Sequence, residues 1–440
     1  MSTSIHQSGQ QTNQGSRARA DELRKNNQFE EASAEYALIW PDGDKWTGWG
    51  YAHCLRKAGH AKEALGVARD LYKLDPEFRL GRSVYAWALY DSVIRGAETI
   101  NAHVLEAAEL IVSLANDVDA YSATSAYSIT VLLVAKLWSQ KQRDVHVLEW
   151  LKKLDPSRLG TDPGKGTDER GKDRELASRR ERYYSLLTHA FERLGRWQEC
   201  LDMSTKAISD CGALHHDNDI WFARRIALAK QKLGMPKEAV EELQHLAERK
   251  QASFLHSDIA SAAWDAGDIQ AAFKHALNAL VAPQDISFKL DAVRLIAEIL
   301  WQRDEKDHAR RHIQLCVAVR AARGWSVSTD LSTLGANWQV VTTKESASTI
   351  QRELEALWKK WLDELVPRKL GAVTRILPNG HAGFIKSNEH QDFYFDAHDW
   401  KGRRSAMAEG VHVSFATRQG FDRKRQRSTT VACDIRVVST

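Results

Sequence analysis

One pattern recurs six times before residue 323, and it limits the possible folds more than any other feature. In its clearest copy, Ala52 and Leu55 precede Gly59, and Ala64 follows. The small residues that open and close the copies are Ala20 and Ala32, Ala52 and Ala64, Thr188 and Cys200, Ala227 and Ala239, Ala260 and Ala272, and Ala297 and Ala309. Small residues let two antiparallel helices approach closely, and Gly or Asn between them can take the left-handed conformation that ends the first helix. Each copy is therefore predicted to be a helical hairpin.

A single hairpin of about 34 residues cannot bury its apolar face, so successive copies are predicted to stack. The pattern resembles the tetratricopeptide repeat (TPR) family. The resemblance rests on the copy at 52–64 and on the closing Leu74-Asp75-Pro76, which Leu154-Asp155-Pro156 repeats. It covers about residues 18–322 and implies an all-α solenoid of helical hairpins.

The middle of this region is irregular, because the pattern is blurred between Ala64 and Cys200. Residues 160–172 have turn composition and are predicted to form a mobile loop. Within them, Gly164-Lys165-Gly166-Thr167 superficially suggests a phosphate loop. The required G-x-x-x-x-G-K-[ST] spacing is absent and no strand-like run precedes it, so this loop is not predicted to bind a nucleotide.

The positive charge of the chain is concentrated at its C-terminal end. The whole chain has a formal net charge of +4, whereas residues 367–440 hold 13 Lys and Arg against 7 Asp and Glu. A basic segment on a near-neutral body is typical of a nucleic-acid-binding module, although a solubilising face would give the same count.

The cysteines and the N-terminal segment bear on the compartment. The five cysteines are scattered and never form a C-x-x-C pair, which favours a reducing compartment and excludes a four-thiolate zinc site. Residues 1–17 lack a secretory pattern and are predicted to be a disordered tail, and no apolar stretch approaches the roughly 20 residues of a membrane span. The expected location is the cytoplasm, without membrane contact.

Fourteen of the 15 tryptophans precede Pro367, and most are expected to fill gaps between helices. If the first helix of each hairpin lines the concave face, as in the TPR family, some would contact a protein partner instead. The predicted partner-binding groove consists of Arg182, Trp221, Arg224, Lys232, Trp264, Arg294 and Trp301. A mixture of Trp and Arg is typical of interface hot spots, although the same residues could simply be a solvated face.

No recognised catalytic or metal-binding spacing is present. H-E-x-x-H, G-x-S-x-G and G-x-G-x-x-G are all missing, and His215-His216-Asp217 has no further ligand at metal spacing. Arg303 and His308 match the bare spacing of some helical ribonucleases, but they fall on a predicted turn, which would not hold a fixed catalytic geometry. We therefore expect a protein that is not an enzyme, without cofactor or metal, and keep ribonuclease activity as a remote possibility.

Residues 323–366 are predicted to be a connector that ends in one amphipathic helix. Apolar residues return at helical spacing as Ile350, Leu354, Leu357, Trp361 and Leu365. This helix is expected to cap the open end of the solenoid, and a dimerising or rigid arm is the alternative.

Beyond Pro367 the period of the apolar residues changes from about 3.6 to 2. The strand-like runs are 370–377, 383–386, 392–395, 411–418 and 431–438, and Pro378-Asn379-Gly380 separates the first two. Five short strands suit a small closed barrel of the OB type. The predicted fold is thus multidomain, with a helical-hairpin solenoid followed by a small all-β OB-type barrel at residues 367–440.

The barrel sequence resembles the cold-shock domain. The resemblance rests on Gly371-Ala372-Val373, on residues 381–385 (HAGFI), on 392–395 (DFYF) and on 409–415 (EGVHVSF), which occur in the family's order and spacing. It implies that aromatic rings on the second and third strands stack on bases of single-stranded RNA or DNA.

The family's stacking platform is only partly present in this chain. Phe384 and Tyr394 occupy two stacking positions, whereas Arg375, Ala382 and Asp396 occupy others. An arginine can stack and contact phosphate, but alanine offers no ring and aspartate repels the backbone. The predicted nucleic-acid-binding residues are Arg375, His381, Phe384, Lys386, Tyr394, Arg418, Arg423, Lys424, Arg425 and Arg427.

Together the two resemblances imply an adaptor. Its solenoid would bind a protein partner, and its barrel would hold single-stranded nucleic acid, RNA more than DNA. The alternative is a protein-interaction scaffold whose barrel has lost nucleic-acid binding, which Ala382 and Asp396 favour. The sequence leaves the partner, the RNA target, the biological process and the oligomeric state open.

Overall fold

The computed structural model describes residues 17–438, except 116–119, 123–124, 168–170, 251, 342–344 and 423–426. The chain divides into two compact units, Met1–Leu246 and Ala247–Thr440. The predicted tail lies outside the described residues, apart from residue 17.

The described α-helices of the first unit form six hairpins. They pair α1 (residues 17–25) with α2 (Phe29–Ile39), α3 (Lys45–Ala58) with α4 (Ala61–Leu74), α5 (Arg79–Leu89) with α6 (Ala102–Leu114), α7 (Tyr127–Gln140) with α8 (Asp144–Leu151), α9 (Arg179–Arg193) with α10 (Trp197–Asp210), and α11 (Asn218–Lys232) with α12 (Pro236–Arg249). Successive hairpins pack on one another, as α4 does on α5 and α8 on α9. A buried core therefore runs from hairpin to hairpin.

The repeat pattern explains four of these hairpins, all except α5–α6 and α7–α8, and two further hairpins of the second unit, at residues 253–281 and 290–322. All twelve small residues that open and close the six copies are fully buried, with 0% of their surface exposed. The six turn residues between paired helices all have positive φ, including Gly59 at 95°, Asn27 at 61° and Asp304 at 63°. Left-handed backbone ends the first helix, and the small residues bring the two helices together. The predicted TPR-like helical-hairpin architecture is confirmed.

Residues 160–172, predicted to be a mobile loop, instead contribute to a β-hairpin. Strand β1 (Gly164–Thr167) pairs antiparallel with β2 (Asp173–Leu176), and Gly164 lies opposite Leu176. A Cβ atom at Gly166 would lie 2.9 Å from Leu176 Cδ1, so glycine lets the leucine side chain cross the hairpin. The strands are short and mostly polar, which is why no alternating apolar pattern marks them in the sequence.

The helices of the second unit precede its barrel. They are α13 (Ser253–Asp265), α14 (Ile269–Val281), α15 (Leu290–Gln302), α16 (Lys306–Ala322), α17 (Thr329–Asn337) and α18 (Ala347–Glu364). Helix α18 is the predicted amphipathic helix, and it packs on α14 and α16 through Ile350, Leu354 and Trp358, all fully buried. Its apolar stripe therefore has a partner within the unit.

A fully buried histidine joins α16 to α18. His312 Nδ1 donates to the carbonyl oxygen of His308 at 2.7 Å, and His312 Nε2 accepts from Trp358 Nε1 at 2.9 Å. This arrangement requires the neutral imidazole, because a proton on Nε2 would remove the acceptor. Burial lowers the pKa of His312 from its ordinary value near 6.5 to about 4.

The stability of the chain is therefore expected to fall as the pH drops from about 6.5 towards 4. Over this range the unfolded state binds the proton of His312 more readily than the folded state, so protonation favours unfolding. The stability is fully present above the unfolded pKa. The His312→Gln variant keeps an acceptor for Trp358 without a titrating group, so its unfolding midpoint should depend less on pH in a denaturant series. An equal pH dependence in both proteins would contradict the assignment.

The C-terminal part of the second unit is a closed β-barrel. Its strands are β3 (Lys369–Ile376), β4 (Ala382–Ser387), β5 (Asp392–Asp396), β6 (Trp400–Lys401), β7 (His412–Asp422) and β8 (Arg427–Val437). The order is β5-β4-β3-β7-β8, the pairing of β5 with β8 closes the barrel, and the two-residue β6 adds to β8. The interior holds Val373, Ile385, Phe393, Phe395, Trp400, Val413, Phe415, Ala432 and Ile435. The predicted five-stranded barrel is confirmed.

Two arginines tie the barrel to its own C-terminal strand and to α18. Arg436 binds Asp363 of α18 at 2.5 Å and Asp434 at 3.0 Å. Arg368, just before β3, donates to the Ser414 carbonyl at 3.0 Å and to Asp434 at 2.5 Å.

None of the described helices is long and apolar enough to cross a membrane.

Candidate nucleic-acid interface

Five residues form one continuous row across the outside of the barrel. Arg375 pairs with Phe384, Phe384 with Tyr394, Tyr394 with Val431, and Val431 with Arg418. Directly paired residues on neighbouring strands share a face of the sheet. The row therefore crosses β3, β4, β5, β8 and β7 and presents two rings between two guanidinium groups. We call it the cross-strand row.

A β-bulge places Arg375 in this row. Val373 faces the core opposite Ile385, and the register then shifts so that Arg375, rather than Thr374, lies opposite Phe384. Without the extra residue, strict alternation would turn Arg375 towards the core. Glycine at position 383 lets β4 lie close to β3, because a Cβ atom there would be only 2.6 Å from the Arg375 carbonyl oxygen.

The two rings meet edge to face and leave one ring surface open. The ring centroids of Phe384 and Tyr394 are 5.7 Å apart at an interplanar angle of 72°. Tyr394 is 40% exposed, and Arg375 Cζ lies 5.9 Å from the centre of the Phe384 ring. Arg375 makes no ion pair with a described side chain. The arrangement thus offers an exposed ring beside an available guanidinium.

Carboxylates flank the cross-strand row. Lys386 lies opposite Asp392, and Ala382 lies opposite Asp396. Arg418 Nη2 binds Asp399 Oδ2 at 2.9 Å, so part of its charge is already neutralised. Among the described residues of this face, Arg418 is thus paired with an acid, whereas Arg375 forms no ion pair.

The structure describes the remaining predicted nucleic-acid-binding residues less completely. His381 lies in the turn before β4, where its backbone N–H donates to Asn379 Oδ1 at 3.0 Å. Arg423, Lys424 and Arg425 lie outside the described residues, and Arg427 is described only through its backbone at the start of β8.

In the first unit, the predicted groove residues lie on two helices, α9 and α11. Arg182 of α9 lines a cleft, whereas Arg224 of α11 binds Glu192 at 3.0 Å and lies 5.8 Å from the ring of Trp221. Lys232 is the last residue of α11. Arg224 and Trp221 form a local pair on one helix.

The predicted groove residues of the second unit have local partners or positions near helix ends. Trp301 stacks on Trp338 with centroids 4.4 Å apart and planes at 6°. Arg294 binds Glu298 at 2.7 Å, and Trp264 is the penultimate residue of α13. Trp338 lies at the C-terminal end of α17. The spacing of residues in the sequence could not identify it as the stacking partner of Trp301.

The histidines and arginines considered for chemistry lie in separate structural settings. His215 Nδ1 lies 2.9 Å from the buried Glu181, and this hydrogen bond raises the pKa of His215. Arg303 Cζ lies 4.3 Å from the Phe273 ring, and the His308 ring meets Trp361 edge to face at 5.5 Å. Among the described residues, no three His, Cys, Asp or Glu side chains are grouped to hold a metal ion.

Comparison with known proteins gives one family match. A family model described as a domain of unknown function (DUF7017) matches residues 220–355. The matched part begins in α11 and ends within α18, before the barrel. No curated protein matches the chain.

The similar solved structures are TPR and other proteins of low sequence identity. YrrB, a TPR protein with an unusual peptide-binding site, is 15% identical, with 48% of this chain and 92% of that chain covered and a TM-score of 0.31. The human IFIT1 dimer with m7Gppp-AAAA is 14% identical, with 72% and 71% covered and a TM-score of 0.37. PilF of Pseudomonas aeruginosa is 9% identical, with 67% and 97% covered and a TM-score of 0.32.

Proposed function

We propose that the chain is a non-enzymatic adaptor whose barrel binds single-stranded nucleic acid, RNA in preference to DNA, and whose helical hairpins bind a protein partner. The cross-strand row carries the first half of the proposal. Exposed aromatic rings beside cationic side chains are the usual means of holding single strands, since every base has a flat face and every nucleotide a phosphate.

The position of Arg375 adds to this support. The bulge brings its guanidinium to 5.9 Å from the centre of the Phe384 ring, and Arg375 forms no ion pair with a described carboxylate. If the base of a nucleotide stacks on Tyr394, the phosphate of that nucleotide would contact a cation of the same cross-strand row. Stacking and charge would therefore act on one nucleotide rather than at separate places.

The protein-binding half rests on the hairpin architecture and on the Trp and Arg side chains of the predicted groove. Trp264 and Trp221 are only partly buried, and partly exposed Trp and Arg are typical of interface hot spots.

The proposed compartment is the reducing cytoplasm. The five cysteines are free, four are buried, and burial raises the pKa of Cys200 to about 11, which keeps the thiol protonated.

A second candidate function is a protein-interaction scaffold whose barrel no longer binds nucleic acid. Three carboxylates beside the cross-strand row favour this function. Asp392 and Asp396 flank the rings, and Asp399 neutralises Arg418. A phosphate backbone would be repelled by these groups.

Fluorescence anisotropy of the full-length chain distinguishes the two functions. The probes are a labelled single-stranded RNA of about 12 nucleotides, within the range that one OB fold covers, and the DNA of the same sequence. The adaptor predicts micromolar or tighter RNA binding at low salt, with weaker DNA binding. Absence of binding at low salt would leave the scaffold.

The salt dependence of binding should identify Arg375 as a phosphate contact. We expect the Arg375→Gln variant to reduce the slope of log affinity against log salt by about 1, because one fewer counterion is released. Lys401→Gln is the matched control, since Lys401 is an exposed cation of the barrel outside the cross-strand row. Equal slopes for the wild type and Arg375→Gln would exclude this contact.

A further inference from the structure

One cleft of the first unit lies between three elements. It has a volume of about 1020 Å³ and is bounded by α7, α9 and the segment that carries the β1–β2 hairpin. Leu132 of α7, Leu186 of α9 and Leu176 of β2 give it apolar walls. A cleft of this size and character is suited to a small organic ligand rather than to an extended strand.

Two arginines from the first turns of α9 line this cleft. Arg179 and Arg182 are three residues apart, so they are neighbours on one helix face. Burial lowers the pKa of both, and the Arg182 charge further lowers the pKa of Arg179. The fold therefore holds two cations close together at a partly dehydrated position.

The two arginines differ in what holds them. Arg179 Nη1 donates to Ser128 Oγ at 2.8 Å and to the Ser122 carbonyl oxygen at 3.2 Å, which fixes its guanidinium. The guanidinium of Arg182 makes no hydrogen bond or ion pair with any residue that the structure describes, and only the Arg182 backbone N–H donates, to the Ser178 carbonyl oxygen within the helix. A half-buried guanidinium without a partner is costly, and an anion in the cleft would remove this cost.

The carboxylate next to Arg182 in the sequence, that of Glu181, is already occupied by other donors. Glu181 is fully buried. Its Oε1 accepts from the backbone N–H of His215 at 2.6 Å and from Asn218 Nδ2 at 2.7 Å, and its Oε2 lies 2.9 Å from His215 Nδ1. Asp162 lines the cleft but is exposed, and Lys136 opposes it with a third positive charge. The lining therefore keeps an excess of positive charge.

We propose that this cleft binds the phosphate monoester of a small molecule, up to the size of a nucleotide, through Arg182 and Arg179. Two adjacent guanidinium groups match the dianionic phosphate better than a carboxylate with a single charge. The apolar walls would contact the organic part of the ligand. Recognition uses arginine side chains of α9, and the Gly164–Thr167 segment is strand β1 rather than a phosphate loop.

Isothermal titration of the full-length chain with inorganic phosphate, AMP and adenosine tests the proposal. Phosphate and AMP should bind saturably, AMP more tightly, and adenosine should not bind. Arg182→Gln should weaken AMP binding about 10- to 100-fold, the range expected for lost hydrogen bonds to a charged group. Arg182→Lys should lie between the two, because it keeps the charge and loses the planar fork.

The controls separate this site from the barrel and from general charge effects. Arg69→Gln removes an exposed arginine of α4 and should leave AMP affinity unchanged, whereas Tyr394→Ala reports any nucleotide that binds at the cross-strand row of the barrel. Failure of AMP and phosphate to bind, equal binding of adenosine, or equal affinity in Arg182→Gln would each overturn the proposal. A loss of AMP binding in Tyr394→Ala with none in Arg182→Gln would assign the phosphate to the barrel instead.

Discussion

Replacing Tyr394 with alanine is expected to weaken binding of single-stranded RNA by roughly 5- to 150-fold, the effect of removing one base-stacking ring. Tyr394 is 40% exposed and is the central residue of the cross-strand row, between Phe384 and Val431. Its side chain lies outside the core, so the barrel should remain folded. Anisotropy titrations of the wild type and the variant with the same labelled RNA give the ratio directly.

Two control variants separate stacking from other effects. Tyr394→Phe keeps the ring and should bind nearly as well as the wild type. Leu370→Ala removes another exposed side chain of the barrel, 52% exposed, and should not change RNA affinity. Unchanged affinity in Tyr394→Ala would show that the row does not stack bases and would favour the scaffold.

The second large effect concerns stability. Trp358→Ala is expected to lower the free energy of opening of the α16–α18 region by about 3–5 kcal/mol, the usual cost of truncating a buried aromatic residue. Trp358 is fully buried, and its loss also leaves His312 Nε2 without its donor. Hydrogen exchange measured by mass spectrometry reports this opening locally, at the amides of α16 and α18.

Trp325→Ala is the matched control for this substitution. Trp325 is 45% exposed, so its truncation should change stability by no more than about 0.5 kcal/mol. If both variants exchanged at the same rate, the packing of α18 on α16 would not contribute to the stability of the second unit. Faster exchange confined to Trp358→Ala is the expected result.

The hairpin architecture could be predicted because a few local rules repeat. Ala52, Gly59 and Ala64 each have a geometric role that depends only on size or on left-handed backbone. The barrel could likewise be predicted from alternating apolar residues and from turn chemistry near Gly380. These features are periodic, so the sequence displays them without knowledge of distant contacts.

The candidate sites were harder to predict because they depend on single irregular events. The bulge at Thr374 that aims Arg375 at Phe384 breaks the alternation on which strand prediction relies. The stacking of Trp301 on Trp338 joins residues from separate helices, and the availability of Arg182 depends on Glu181 being bound elsewhere. Periodicity does not determine these side-chain partners.

Ultraviolet crosslinking of single-stranded RNA to the full-length chain, with mass-spectrometric mapping of the adducts, tests the central claim most directly. The adaptor proposal predicts adducts on Phe384 or Tyr394, in strands β4 and β5, and their loss when salt is raised. Adducts confined to the helical hairpins, or none at low salt, would contradict the assignment of nucleic-acid binding to the barrel.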